Sequence, residues 1–287
     1  MTTPWHTKTW ITSRFDIDLS SPQVMAIINV TPDSFSDGGE HAGTAAALRR
    51  CEQALKEGAH ILDIGGESTR PGSPAVPLDE ELRRVLPVVR EAVRLGAPVS
   101  VDTYKPEVMQ AVLDEGADII NDIWALRQGR AADIVTAHPR CGVCLMHMHR
   151  EPQTMQAQPM AGDVLGPVVA FLNERVQALA SCGVVAARIT VDPGIGFGKT
   201  VEQNFSLLAR QAEVAAATGC AVLAGWSRKS SLGSITGHQQ PRDRVAASIA
   251  AALLAVERGA AVVRVHDVRE TVDALSILRQ LQGFGPA

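Results

Sequence analysis

The chain has 287 residues, with 27 Lys and Arg against 31 Asp and Glu and a formal net charge of −4. That balance excludes the basic footprint of a nucleic-acid binder, and the longest apolar stretch, 246–256, is Ala-rich and too short to span a bilayer. Five irregularly spaced cysteines suit reduced thiols, and the polar opening segment carries no apolar signal core, so the expectation is a cytoplasmic protein.

Residues 5–19 alternate loosely (Trp10, Phe15, Ile17, Leu19) and predict a short hairpin or edge strand closing one end of the fold. Short apolar runs then recur, nearly all ending on a residue able to hold a ligand. Residues 24–28 end on Asn29, 61–62 on Asp63, 99–101 on Asp102, and 119–120 on Asn121 and Asp122. Residues 143–146 end on His147, 189–191 on Asp192, 221–224 before Gly225 and Ser227, and 262–265 on His266. Gly58, Gly96, Gly116, Gly142, Gly183, Gly219 and Gly259 precede most of them, as glycines closing helical stretches. Helix signals lie between the runs. Thr44 opens a periodic segment to Leu55, and residues 78–95 carry apolar residues at helical spacing with Asp79, Glu80 and Glu81 in the first turn, where the helix dipole favours negative charge. Pro106 fits the first turn of 105–115, Thr200 caps 201–216, and residues 242–258 and 269–280 supply the last helices.

Continuous apolar runs alternating with helices predict a buried parallel sheet, and eight such units predict an α/β fold of the (β/α)8 TIM-barrel type with a short N-terminal extension. No composition break divides the chain, so residues 1–287 are expected to form a single domain. Every strand would aim its C-terminal end at one rim, where the scattered polar residues meet. Three rim loops are long, 30–43, 65–77 and 149–163, as lids and binding loops tend to be.

Asp102, Asn121, Asp192 and Lys229 lie at or just past strand ends on different units. Two carboxylates, an amide and an ammonium suit a flat heterocycle rich in N–H donors and ring acceptors. Asp63 and Asp122 read as caps of the segments that follow them. The segment Gly65-Gly-Glu-Ser-Thr-Arg-Pro-Gly72 offers backbone N–H groups, hydroxyls and a guanidinium to an anion, a weak signal alone, and Arg264 and His266 add to it at the end of strand eight. Phe35 stands at a polar loop tip, where an aromatic side chain is expected to close over something. The glycines of Gly194-Ile-Gly-Phe-Gly-Lys-Thr200 do not fit a nucleotide loop, because Pro193 stands where its first glycine belongs. Cys141, Cys144, His147 and His149 make a poor zinc set, and no nucleophile elbow is present.

Taken in order, residues 29–39, 65–72, Ser100-Val-Asp-Thr103, Ile120-Asn-Asp-Ile123, 192–199, Ser227-Arg-Lys229 and Arg264-Val-His-Asp267 closely resemble the dihydropteroate synthase family across about residues 21–281. The resemblance implies a transferase that condenses 6-hydroxymethyl-7,8-dihydropterin pyrophosphate with para-aminobenzoate by a dissociative substitution. It implies that Asp102, Asn121, Asp192 and Lys229 hold the pterin edge, with Ile123 and Met146 packing nearby and Arg264 stacking on its face. It assigns pyrophosphate to Thr69, Arg70, Arg264 and His266, and para-aminobenzoate to Phe35, Pro71, Phe197, Ser227 and Lys229. Asn29 would coordinate Mg2+, and Asp33, Asp102 and Arg264 would carry catalysis. It also implies sulfonamide sensitivity and a homodimer through the last helices. Two other readings stand beside it: a non-catalytic pterin-binding paralogue, and a pterin-dependent methyltransferase on a similar barrel.

Overall fold

The computed structural model describes residues 8–30, 39–68, 72–152 and 154–282. The expectations for Asp33, Phe35, Thr69, Arg70 and Pro71 lie outside them. The N-terminal hairpin pairs β1 (Thr9–Ile11) with β2 (Asp16–Asp18) in antiparallel register. Eight parallel strands then close a barrel in the order β10-β3-β4-β5-β6-β7-β8-β9. They are β3 (Gln23–Asn29), β4 (Ile61–Gly65), β5 (Val99–Asp102), β6 (Ile119–Asp122), β7 (Gly142–Met146), β8 (Ile189–Asp192), β9 (Ala221–Ala224) and β10 (Ala260–Val265). The helices around them are α1 (Gly39–Lys56), α2 (Leu78–Ala92), α3 (Pro106–Asp114), α4 (Ala131–Ala137), α5 (Leu165–Ser181), α6 (Val201–Ala209), α7 (Gln211–Thr218), α8 (Ser230–Thr236), α9 (Val245–Glu257) and α10 (Val268–Gln282). The strands are buried almost throughout because helices cover one face and the barrel interior the other.

The hairpin closes the end of the barrel opposite the rim. Trp10 is 1% exposed and donates its indole N–H to the Arg188 carbonyl at 3.0 Å, just ahead of β8. Gly142 serves this plug and caps no helix. It opens β7, and a Cβ there would lie 3.1 Å from both Thr12 and Trp10, so a side chain would push the hairpin off. Gly58, Gly96, Gly116, Gly183, Gly219 and Gly259 all adopt positive φ, as predicted for glycines that end helical stretches. Thr200 makes the predicted cap as a full capping box with Gln203, but the helix after it breaks at Arg210 into α6 and α7. Among the described residues no helix is long and apolar enough to cross a membrane.

Candidate active site

The strand-end residues converge at the C-terminal rim as predicted. In the barrel register Gly65 pairs with Asp102 and Asp102 with Asn121, which sets those positions side by side. Arg264, from β10, reaches across: its Nη2 donates to Asp102 Oδ2 at 2.6 Å and its Nε to Asp63 Oδ2 at 2.6 Å. Burial raises the Asp102 carboxyl above its usual range while Arg264 pulls it down, and the two carboxylates hold the Arg264 guanidinium firmly charged. The Arg264 side chain keeps 21% of its surface exposed, so one part of it remains at the mouth.

Asp63 corrects the sequence reading. It caps nothing. β4 continues through Ile64 and Gly65, placing Asp63 inside the barrel at 0% exposure. There it accepts from Ser100 Oγ at 2.6 Å, from Asn121 Nδ2 at 3.4 Å and from Arg264 Nε. The available signal was parity: Asp63 pairs with Ser100, which shares a strand face with Asp102 two residues on. Asp122 does behave as expected, accepting from the backbone N–H groups of Trp124 and Leu126 at 2.8 and 2.7 Å, and burial raises its carboxyl to about 7.

On the opposite side of the mouth, Asp192 Oδ1 accepts from Gly194 N–H at 2.7 Å. Burial raises its carboxyl, opposed by that bond and by the Lys229 charge. Lys229 Nζ stands 4.3 Å from the centre of the Phe197 ring, a cation–π contact that joins two residues expected to share one subsite. Ile123 and Met146 belong with Met148, Met155 and Phe197 to a small apolar cluster separate from the main core, with Tyr104 and Trp124 packed on it. This cluster forms an apolar wall beside the polar edge. Ser227 Oγ lies 3.0 Å from His266 Nδ1 and accepts the His266 backbone N–H at 3.1 Å. These two residues, expected to serve different substrates, therefore form one polar pair. Arg228 between Ser227 and Lys229 takes φ 59°, a left-handed conformation that turns its neighbours apart, and it is fixed by an ion pair with Asp267.

Two buried groups at the rim escaped the sequence reading. Lys199 is 2% exposed and donates to Gly194 O at 2.9 Å, Phe197 O at 3.2 Å and His147 Nδ1 at 3.0 Å. It thereby holds the glycine turn that carries Phe197. Burial and Lys199 push His147 down to about 2, so its ring is neutral. Glu81, expected only to complement the α2 dipole, is 1% exposed and accepts from Thr103 Oγ1 at 2.7 Å and from Lys105. In the third rim loop, residues 154–163 pack as a buttress, with Met155 at 0% exposure and Met160 N–H donating to Gly198 O at 2.9 Å.

The family of pterin binding enzymes matches residues 25–266. The dihydropteroate synthase of Neisseria meningitidis serogroup B is 46% identical over 276 residues, covering 95% of this chain and 97% of its own. The solved dihydropteroate synthase of Burkholderia cenocepacia complexed with 7,8-dihydropteroate is 50% identical with a TM-score of 0.88, covering 99% of this chain and 98% of its own. The Xanthomonas albilineans enzyme with 4-aminobenzoic acid is 47% identical with a TM-score of 0.89, covering 99% of this chain and 100% of its own.

Proposed function

The chain belongs to the dihydropteroate synthase family of pterin binding enzymes, and from that premise we propose how its own residues divide the reaction. It is a transferase that joins 6-hydroxymethyl-7,8-dihydropterin pyrophosphate to para-aminobenzoate, giving 7,8-dihydropteroate and pyrophosphate. The observation that carries the residue assignment is the meeting of Asp102, Asn121, Asp192 and Lys229, from separate strands and loops, beside the Ile123 and Met146 wall.

Asp102, Asn121, Asp192 and Lys229 grip the donor and acceptor edge of the pterin, and Arg264, steadied by Asp63 and Asp102, stacks on its face. Thr69, Arg70, Arg264 and His266 take the pyrophosphate. Phe35, Pro71, Phe197 and Lys229 enclose the benzoate ring, with Ser227 at its carboxylate. The bond from the pterin methylene to pyrophosphate oxygen breaks, the arylamine nitrogen bonds to that carbon, and the amine gives up a proton. An arylamine is already unprotonated at neutral pH, so the site needs to place it rather than activate it. The difficult step is the departure of the anion, which the cationic residues favour by stabilising charge as it develops. Asp33 and Asp102 stabilise the cation left on the pterin.

Asn29 ends β3 exposed on the rim, and its amide oxygen is a donor of the hard class that Mg2+ takes. Among the described residues no three His, Cys, Asp or Glu are grouped to cage a metal, which suits an ion that keeps waters and substrate oxygens as its other ligands. Mg2+ bound there would offset diphosphate charge. On α9 the exposed residues are Ala246, Ala250, Leu254 and Glu257, while Ala247 and Ala251 turn inward. With Ile277 and Leu281 of α10, 74% and 66% exposed, that surface supports a homodimer.

Pyrophosphate release measured with both substrates and Mg2+, with and without a sulfonamide, tests this reading. Turnover should need both substrates and fall with sulfonamide when para-aminobenzoate is low. Asp192→Ala should abolish pterin binding while the circular-dichroism spectrum stays that of the parent. Retained pterin affinity in that variant would remove the assignment.

A further inference from the structure

Glu67 stands in a segment assigned to an anion, where an unpaired negative charge would oppose binding. Its partners explain its presence. Oε1 accepts from the Tyr104 hydroxyl at 3.0 Å, and Oε2 accepts from Val76 N–H at 3.2 Å and from Lys105. Val76 lies on the far arm of the same loop, so one carboxylate closes the loop across its base. A second rung sits inside the first, where the Ser68 and Ser73 hydroxyls are 3.0 Å apart. Lys105 also pairs with Glu81, which accepts from Thr103. Thr103, Tyr104 and Lys105 follow directly on β5 and Asp102, so Glu67 fastens the β4–α2 loop to the strand that carries a pterin-binding carboxylate.

We propose that Glu67 is a positioning residue: it ties the two arms of the β4–α2 loop together at their base and to the end of β5, setting the ends of the pyrophosphate-binding segment in register with the pterin pocket, while Lys105 is shared between Glu67 and Glu81 and offsets one of their two charges instead of binding substrate. The proposal rests on the reading of this loop as the pyrophosphate site. Fastening the two arms at their base leaves the segment between them less freedom to lose on binding an anion, whereas unfastened arms would lose more, which weakens affinity without removing any ligand contact. Ion pairing also lessens the harm a carboxylate would do there. The side chains of Glu67 and Lys105 are only 8% and 15% exposed, so the attraction between them is weakly screened, and the shared ammonium offsets part of the Glu67 charge.

The test compares Glu67→Ala and Glu67→Gln with the parent by calorimetric titration of inorganic pyrophosphate with Mg2+, titration of 6-hydroxymethylpterin lacking the pyrophosphate, and steady-state kinetics. Glu67→Ala should weaken pyrophosphate binding about tenfold and raise KM for the pterin pyrophosphate to match, with 6-hydroxymethylpterin affinity within about twofold of the parent. Glu67→Gln keeps one of the two acceptor oxygens, for Tyr104 or for Val76 but not both, and lacks the charge for Lys105, so it should fall between. It also serves if the alanine variant does not fold. Unchanged pyrophosphate affinity in both variants, or equal loss of pyrophosphate and pterin affinity, overturns the proposal. If the parent itself binds no pyrophosphate, the underlying assignment of the loop fails instead.

Discussion

Removing the Asp63 carboxylate should be strongly damaging even though it lies beneath the mouth and is assigned no substrate contact. In Asp63→Ala, Arg264 loses its 2.6 Å partner, Ser100 Oγ its 2.6 Å acceptor and Asn121 its link to the same group, all at a position of 0% exposure. Breaking a buried ion pair from one side costs about 3–5 kcal/mol, because the remaining charge stays desolvated. Asp102 still faces Arg264, so the lower end of that range applies, about 3 kcal/mol. At about 2–4 °C per kcal/mol for a chain of this size class, the melting temperature should fall by about 10 °C. Asp63→Asn keeps the volume but sets an N–H group among donors, and should lose roughly half as much. Arg264, released from its anchor, is then free to engage Asp102 more fully and to cover the pterin edge, so KM for the pterin pyrophosphate should rise in both variants. Thermal melts at fixed pH together with initial rates check this. If both variants melt within about 2 °C of the parent with unchanged KM, the account of Asp63 as the shared anchor of Arg264 and Asn121 is wrong.

Gly194→Ala and Gly196→Ala should differ sharply although both glycines have positive φ, 71° and 80°. A Cβ at 194 would lie 1.8 Å from the His147 carbonyl oxygen, whereas at 196 the nearest atom is Lys229 Cδ at 3.4 Å. Chemical denaturation should show a loss on the order of 3 kcal/mol or more at 194 and about 1 kcal/mol at 196, and the reverse order would contradict the packing described. Lys199 gives a pH signature. Burial pushes its ammonium from 10.5 down to about 7, with Asp192 opposing and Lys229 adding to the depression. Between those values the unfolded chain holds a proton that the folded chain has released, so stability rises with pH across that window. Urea melts from pH 7 to 10 should show this slope reduced in Lys199→Met, and an unaltered slope would rule out the buried ammonium as its source. Thr200→Ala breaks the capping box and should cost about 1 kcal/mol in the same melts, with kcat unchanged.

The barrel and most of its rim were legible in the sequence because both follow from local periodicity. A strand covered on two sides must be apolar throughout, so the residue at which the apolar run stops marks the strand end, and Asp102, Asn121 and Asp192 were found that way. The Thr200 cap and the glycines that end helices are equally local, since each satisfies a backbone demand within a few residues. Asp63, Glu81 and Lys199 were missed for the opposite reason. Asp63 resembles a strand-end carboxylate until β4 is seen to run two residues further and Arg264, 201 positions away in sequence, arrives against it. Glu81 sits in a helix first turn where an acid needs no special partner, and only the approach of β5 buries it against Thr103 and Lys105. Lys199 follows a glycine turn whose carbonyl groups enclose its ammonium only once β7 and β8 bring His147 alongside. The sequence by itself determined which residues reach the rim, because strand period and chain breaks are properties of neighbours. Only the tertiary structure decided which buried charges pair beneath them, because that depends on contacts between segments whose separation in sequence carries no period.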